Sequence, residues 1–253
     1  MNFESILEHH LFDHRFKSLV IGGIDFGLSN HLVMLWIVCG VLITFLSIAV
    51  RGKSGAGLLL RGGVEAVVLF LRDKMLEPIF GHATHTYLPY FLTLFFFILT
   101  CNLLGLIPYS QAITANVTVT AALAACTFIM IQFAGVKEQG LVSYVVHIVP
   151  GGVPLALWPV LFVIEVFGML AKCISLCIRL FANIIAGHIV SLAFLSLIFI
   201  FAEYGKLVGL GVAPAAVGMA LFVYTMDVLV SLLQAYIFTF LTALFVGGAV
   251  HPH

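Results

Sequence analysis

The sequence predicts an all-α integral membrane protein with about five membrane segments, and three observations support this prediction. Hydrophobic residues make up 62% of the 253-residue chain, whereas Asp, Glu, Lys and Arg together make up only 9%. A water-soluble domain has about 25% charged residues, so this chain lacks the charge to cover a water-exposed surface. The apolar residues also lie in long runs, and a membrane-spanning helix needs about 20 such residues. The runs are 32–50, 86–108, 117–135, 157–202 and 207–249.

Residues 1–31 precede the first run and are predicted to lie outside the membrane, ahead of a single membrane domain at 32–253. This N-terminal segment contains Glu4 and Glu8 and has no apolar core, which argues against a cleaved signal peptide. Basic residues concentrate between the first and second runs, so the positive-inside rule places that loop on the cytoplasmic or matrix side. Five crossings then place the C-terminus on the same side. The formal net charge of +0, without a basic run, indicates no nucleic-acid partner.

The segment 51–82 joins the first two runs and mixes charged with apolar residues. It is interpreted either as a helix lying in the membrane interface or as an ordinary connecting loop. His82 and His85 follow as an HxxH pair. Such a pair is typical of histidines at the membrane interface, and two ligands of a zinc ion are the alternative.

The last two runs are too long for simple spans. Each exceeds 40 residues and would be about 65 Å long as a helix. Because the hydrocarbon core of a bilayer is only ~30 Å thick, each run must tilt steeply or break into two helices. The cluster of Gly209, Gly211 and Pro214 is predicted to form the turn of a long helical hairpin between them.

Ionisable residues inside these two runs are candidates for ion transport, because charges within a membrane are costly. On a helical wheel, Glu165, Lys172, Arg179 and Asn183 fall within about 40° of one another, with small residues such as Ser175 on the same side. In the last run, three polar residues follow the helical spacing i, i+4, i+7 and share one face. They are Asp227, Ser231 and Gln234.

The residue types define different chemical roles. An arginine keeps its proton in a protein, so Arg179 is a fixed positive charge that favours the ionised form of any carboxylate beside it. Glu165, His188 and Asp227 can titrate and therefore carry protons. Two structural alternatives remain open, namely that Lys172 extends to the membrane interface and that Glu165 pairs with Lys172.

Four stretches resemble one family. The segment 179–188, RLFANIIAGH, resembles the central signature of subunit a of F-type rotary ATP synthases. The segment 232–238, LLQAYIF, is similar to the matching signature in the last helix of that family. The segments 102–108 and 114–120 resemble its earlier membrane segments, so the resemblance extends from about residue 85 to 250 in the expected order.

The resemblance implies a stator subunit beside a rotating ring of small proteolipid subunits, the c-ring. It also implies contacts with peripheral-stalk b-type subunits, with the remainder of the F-type ATP synthase and with membrane lipid. Protons would enter through one half-channel, neutralise a ring carboxylate and leave through a second half-channel. The chain itself would perform no ATP chemistry and need no cofactor or metal. A bacterial cytoplasmic membrane and an organelle energy-coupling membrane fit equally well, and His188 favours H⁺ over Na⁺.

The resemblance also assigns roles to individual residues. Arg179 would separate the two half-channels, with Asn183 and Gln234 beside it. Glu165 matches an acidic position in a half-channel. His188 and Asp227 match a coupled pair in which either residue could be the dominant relay. Secondary candidates for the proton path are Lys172, Ser175 and Ser231.

Two other functions are compatible with buried charges. A stand-alone proton-coupled secondary transporter could use the same residues, but such folds often contain two repeated halves, and the charge set occurs only once here. A membrane-embedded metalloenzyme would need three or four converging ligands, which this sequence does not group together.

Overall fold

The computed structural model describes residues 15–21, 24–52, 56–107, 113–147, 154 and 157–250. An antiparallel hairpin comes first, with strand β1 at Arg15–Ile21 and strand β2 at Ile24–Ser29. Every later element in the described ranges is helical, which confirms the predicted all-α membrane protein. The hairpin is an addition that the sequence analysis did not predict.

Among the described residues, five helical segments are long and apolar enough to cross a membrane, as predicted. Helix α1 spans Asn30–Arg51. Helix α2, Ala56–Phe70, leads through shorter helical pieces into α4, Thr84–Gly105. Helix α5 spans Val117–Gln139, and the short helix α6, Leu141–His147, follows it. The last two segments are α7, Trp158–Tyr204, and α8, Lys206–Val250.

The segment predicted as an interfacial helix or a loop is helical over most of its length. After α2 the chain forms a π-helical turn at Leu71–Leu76, in which hydrogen bonds join residues five apart. The four-residue helix α3, Glu77–Phe80, and a 3₁₀ turn at Gly81–Ala83 then lead into α4. The candidate membrane segment therefore extends over Gly57–Gly105, well beyond the predicted start at residue 86.

The predicted position of the hairpin turn between α7 and α8 is wrong. The chain turns at Gly205, whose φ of +154° lies in a region that L side chains rarely adopt. Gly209, Gly211 and Pro214 lie inside α8. Gly209 has a packing role instead, because an added Cβ would lie 2.8 Å from the Cβ of Ala202. Both helices run without interruption through 47 and 45 residues, so the alternative in which each run breaks into two helices does not occur.

The chain divides into two compact units. The first consists of Met1–Ile43, Phe97–Asn116 and Leu180–Gln234. Its buried side chains include Val38, Ile98 and Leu180, each 0% exposed. This unit contains the α7–α8 turn, where the two helices lie antiparallel.

The second unit consists of Thr44–Phe96, Val117–Arg179 and Ala235–His253. An aromatic cluster lies in its core, in which the Phe80 ring stacks on Tyr87 at a centroid distance of 5.0 Å and lies 5.5 Å from Phe91. Helix α6 packs back on α5, because the hydroxyl of Tyr144 donates a 2.6 Å hydrogen bond to Oε1 of Gln132. Burial raises the pKa of the Tyr144 phenol.

Candidate functional site

Arg179 lies in the middle of α7 and is half-buried. Its atom Nη1 is fully buried and has no hydrogen-bond partner within the described ranges, and no carboxylate there forms an ion pair with it. The neighbouring residues Leu176 and Leu180 are 1% and 0% exposed, so they hold this part of α7 against the rest of the protein. The guanidinium is therefore desolvated at one nitrogen, which the described residues leave without an acceptor.

Small side chains surround Arg179 on the exposed side of α7. Ser175, Ala182 and Ala186 lie four residues before, three after and seven after Arg179, and all three are exposed. Positions three and four residues apart are neighbours on a helix surface. Asn183, one turn after Arg179, is half-buried at the edge of this exposed strip. The backbone of another helix can therefore approach α7 closely here.

His188 and Asp227 come together in the first unit. The two half-buried side chains interact electrostatically, although they are on different helices. Gly187 makes room for the carboxylate, since an added Cβ would lie 2.5 Å from Oδ2 and 2.8 Å from Oδ1 of Asp227. The hydroxyl of Ser191 bonds back to the carbonyl oxygens of Gly187 and His188 at 3.0 and 3.1 Å, which stiffens this turn. The arrangement places two titratable groups within reach of each other.

A buried polar network lies one to two turns further along α8. Ser231 is 0% exposed and Gln234 5% exposed, and their atoms Oγ and Nε2 have no partner in the parts of the chain that the structure describes. Asn102 Nδ2 donates to the carbonyl oxygen of Ser231 at 3.5 Å, and Thr114 Oγ1 donates to Asn102 Oδ1 at 3.3 Å. Sequence reasoning missed Asn102 and Thr114 as parts of the site. Both residues lie in the segments 102–108 and 114–120, which resemble the family, and this resemblance could have indicated them.

Within the described residues, Glu165 and Lys172 do not form the ion pair that was one of the two structural alternatives. Both lie on α7, but the ion pair found among the described residues joins Arg72 and Asp73. Lys172 is exposed, and its Nζ lies 5.2 Å from the centroid of the Phe245 ring, in a cation–π contact. Glu165 is half-buried. The alternative in which Lys172 extends outward is compatible with its exposure.

The predicted site residues fall into both compact units. Arg179 belongs to the second unit together with Glu165, Lys172 and Ser175. The first unit contains Asn183, His188, Asp227, Ser231 and Gln234. Within the described residues, no group of three or more His, Cys, Asp or Glu side chains is placed to hold a metal ion. The half-buried thiols of Cys173 and Cys177 contact the Ala124 carbonyl oxygen and the Thr120 hydroxyl.

These features define a class, that of multi-pass helical membrane proteins with ionisable groups inside their membrane segments. Comparison with known proteins identifies the family. Residues 32–247 match the model of the ATP synthase A chain family. The chain is 38% identical to ATP synthase subunit a of Chloroherpeton thalassium, over 97% of this chain and 75% of that protein. It is 39% identical to ATP synthase subunit a 2 of Prosthecochloris aestuarii, over 98% of this chain and 75% of that protein.

The chain belongs to the ATP synthase A chain family. It is a multi-pass integral membrane subunit that translocates protons within the F-type ATP synthase and does not itself catalyse ATP chemistry. The family does not favour the stand-alone transporter that sequence reasoning left open.

Proposed function

We propose that Arg179 is the fixed positive charge that separates two proton half-channels and meets the carboxylates of a rotating proteolipid c-ring. The observation that carries this proposal is the incomplete environment of the guanidinium, with Nη1 buried and unpartnered in the described residues. A buried cation is stable only when an anion or water satisfies it. Because the described part of this chain supplies no carboxylate to it, a carboxylate from a neighbouring subunit is the complementary group.

The surface of α7 supports an approach by such a subunit. The exposed strip of Ser175, Ala182 and Ala186 beside Arg179 is made of small side chains, which allow close helix contact. A ring carboxylate arriving here loses its proton in the field of Arg179, because a nearby positive charge favours the ionised form. Asn183, on the next turn of α7, can hydrogen-bond the carboxylate as it passes.

The titratable groups provide the two routes for protons. We assign Glu165 to one half-channel and the coupled pair His188 and Asp227 to a half-channel, with either member of the pair able to act as the dominant relay. Gln234 and Ser231 contribute buried polar atoms that have no partner among the described residues and can hold water along the path. Lys172 and Ser175 are secondary members of this set.

The placement in the membrane follows from charge. We assign residues 1–31 to the extramembrane side and residues 32–253 to one membrane domain, with the C-terminus on the cytoplasmic or matrix side. The basic residues between the first two apolar runs support this orientation. Peripheral-stalk b-type subunits complete the stator, in a bacterial cytoplasmic membrane or an organelle energy-coupling membrane. The titratable His188 supports H⁺ as the transported ion.

The experiment is ATP-driven proton pumping in inverted vesicles that carry Arg179→Ala, with Arg179→Lys and Arg61→Ala as comparisons. Arg61 is an exposed arginine on α2, so its loss tests for a general effect of removing positive charge. We expect Arg179→Ala to abolish pumping while the complex assembles normally, and Arg61→Ala to pump as the wild type does. Normal pumping by an assembled Arg179→Ala complex would remove the proposed role.

A further inference from the structure

A second polar cluster lies far along the chain from the proposed proton path. Within the second unit, a cleft of about 250 Å³ opens between the π-helical turn and the start of α4. It contains one cation, one carboxylate, two imidazoles and a hydroxyl, a mixture that proton transfer along α7 and α8 does not use. The lining residues are Arg72, Glu77, Gly81, His82, Thr84 and His85.

The π-helical turn creates the charged pair in this cleft. The backbone N–H of Glu77 donates to the carbonyl oxygen of Arg72, which is the five-residue spacing of a π-helix. In an α-helix, residues five apart point about 140° away from each other. The wider turn brings Arg72 and Glu77 to the same cleft, so a cationic donor and an anionic acceptor face one space. Single π-helical turns occur frequently at functional sites.

Arg72 keeps most of its hydrogen-bonding capacity. Its Nε donates a 2.6 Å bond to Oδ1 of Asp73, which fixes the orientation of the guanidinium. No acceptor within the described ranges contacts the two Nη atoms, which therefore remain available to a ligand. A guanidinium offers paired N–H donors that match the two oxygens of a phosphate.

Gly81 opens the other wall of the cleft. Its φ of +52° suits glycine, and an added Cβ would meet nothing within 4 Å. His82 lies in the 3₁₀ turn Gly81–Ala83 and His85 in the first turn of α4, and both line the cleft. Thr84 Oγ1 donates a 2.7 Å bond to the Gly81 carbonyl oxygen, which fixes the bend. Both histidines are exposed and can donate to an anion.

The depth of the cleft in the membrane follows from α4. This helix has 22 residues and is about 33 Å long at ~1.5 Å per residue, enough to cross the hydrocarbon core. Because α4 alone is long enough to cross, we place the cleft at its N-terminal end at the level of the lipid headgroups, with α2 and the π-helical turn forming the interfacial part of the longer apolar segment Gly57–Gly105. Leu69 and Phe70, which precede the π-helical turn, are 39% and 48% exposed and offer an apolar surface for acyl chains.

We propose that this cleft binds the headgroup of a phospholipid that carries both a phosphate diester and a primary ammonium group. Arg72, His82 and His85 donate to the phosphate, and Glu77 accepts from the ammonium. A primary ammonium fits better than a quaternary one, because only the former has N–H groups for the carboxylate. A cleft lined only by basic residues would favour anionic lipids. The carboxylate of Glu77 favours a headgroup that also carries a positive charge.

The test uses the intact, purified ATP synthase complex in nanodiscs that contain photoreactive phosphatidylethanolamine. Competition by unlabelled phosphatidylethanolamine, phosphatidylcholine, phosphatidylglycerol and inorganic phosphate is measured, and the cross-linked peptides are mapped. We expect labelling of the segment around residues 69–85, strong competition by phosphatidylethanolamine and weak competition by the other three. Equal competition by phosphatidylcholine or phosphatidylglycerol would overturn the headgroup assignment.

Two variants sharpen the result, with Arg61→Gln as the matched control outside the cleft. Arg72→Gln should weaken binding of phosphatidylethanolamine on the order of tenfold, since a charge-assisted hydrogen bond is lost. Glu77→Gln should weaken the binding of phosphatidylethanolamine, whereas the binding of phosphatidylglycerol should stay unchanged or become stronger. Cross-linking of the segment to another protein subunit, or protection by inorganic phosphate alone, would overturn the proposal in favour of a protein contact or a free-phosphate site. The wild-type competition series remains decisive if a variant fails to assemble.

Discussion

The close approach of Gly187 and Asp227 makes a strong prediction about proton transport. In Gly187→Ala, the new Cβ would lie 2.5–2.8 Å from the Asp227 carboxyl group, well inside ordinary contact, so the carboxylate must retreat by about 1 Å. Adding a methyl group to a tightly packed position typically costs 1–3 kcal/mol. If this cost falls on the geometry that couples Asp227 to His188, the rate of proton transfer falls by about 5-fold to 150-fold.

ATP-driven pumping in inverted vesicles measures this effect, normalised to the amount of assembled complex. Gly218→Ala is the matched control, because Gly218 lies on α8 in the same unit and an added Cβ meets nothing within 4 Å. Both substitutions raise helix propensity by about 1 kcal/mol, so the control removes that contribution. Pumping by Gly187→Ala at the level of Gly218→Ala would refute the reasoning.

A double-mutant cycle separates the carboxylate from other effects of the added methyl group. Asp227→Ala removes the group that Gly187→Ala displaces, so the double variant should pump no more slowly than Asp227→Ala alone. An additional loss in the double variant would show that the methyl group acts on something other than Asp227.

Three further outcomes follow from contacts in the described residues. Gly247→Ala should lower the thermal stability of the complex by about 1–3 kcal/mol because its Cβ would overlap the Ile79 side chain, whereas Gly248→Ala should not, as measured by calorimetry. Thr114→Val should cost about 1–3 kcal/mol in the same measurement, because Asn102 loses a buried hydrogen bond. Burial raises the pKa of the Tyr144 phenol above its value in the unfolded chain. The free energy that the neutral phenol contributes to docking α6 is therefore constant below about pH 10, and it is lost as the pH rises towards the folded-state pKa. Limited proteolysis of α6 against pH measures that loss, and a digestion rate independent of pH up to the alkaline limit would contradict it.

The apolar runs predicted the membrane fold because their length alone sets the number of spans. The turn between α7 and α8 could not be found in the same way. In a soluble protein, a cluster such as Gly209, Gly211 and Pro214 is typical of a turn. Inside a membrane the backbone groups must stay hydrogen-bonded, and here the helix continues through all three residues. The single residue Gly205 forms the turn instead. Glycine in a membrane helix often serves close packing, as Gly209 does against Ala202.

The partners of the buried charges could be predicted only in part. The helical wheel placed Glu165 and Lys172 on one side, but seven residues separate them by about 10 Å along the axis, too far for an ion pair. Lys172 contacts Phe245 on α8 instead, a tertiary contact that no local pattern encodes. The β1–β2 hairpin was not predicted, because both strands lie in the N-terminal segment, where the sequence analysis considered only the absence of a long apolar run.

The buried Nη1 atom of Arg179, which has no acceptor among the described residues, gives a physical reason for such a subunit to work only in a complex. Leaving a buried guanidinium nitrogen without an acceptor costs about 1–3 kcal/mol or more, and folding of the chain alone does not recover this energy within the described residues. A partner carboxylate that satisfied Arg179 permanently would block movement, because a desolvated ion pair is costly to separate. Ala182 and Ala186 are small and exposed beside the half-buried guanidinium, so under the proposed mechanism water would reach its exposed part between successive ring carboxylates and lower the barrier to exchange. An arginine that the described residues leave incompletely satisfied is thus suited to a partner that must both bind and leave.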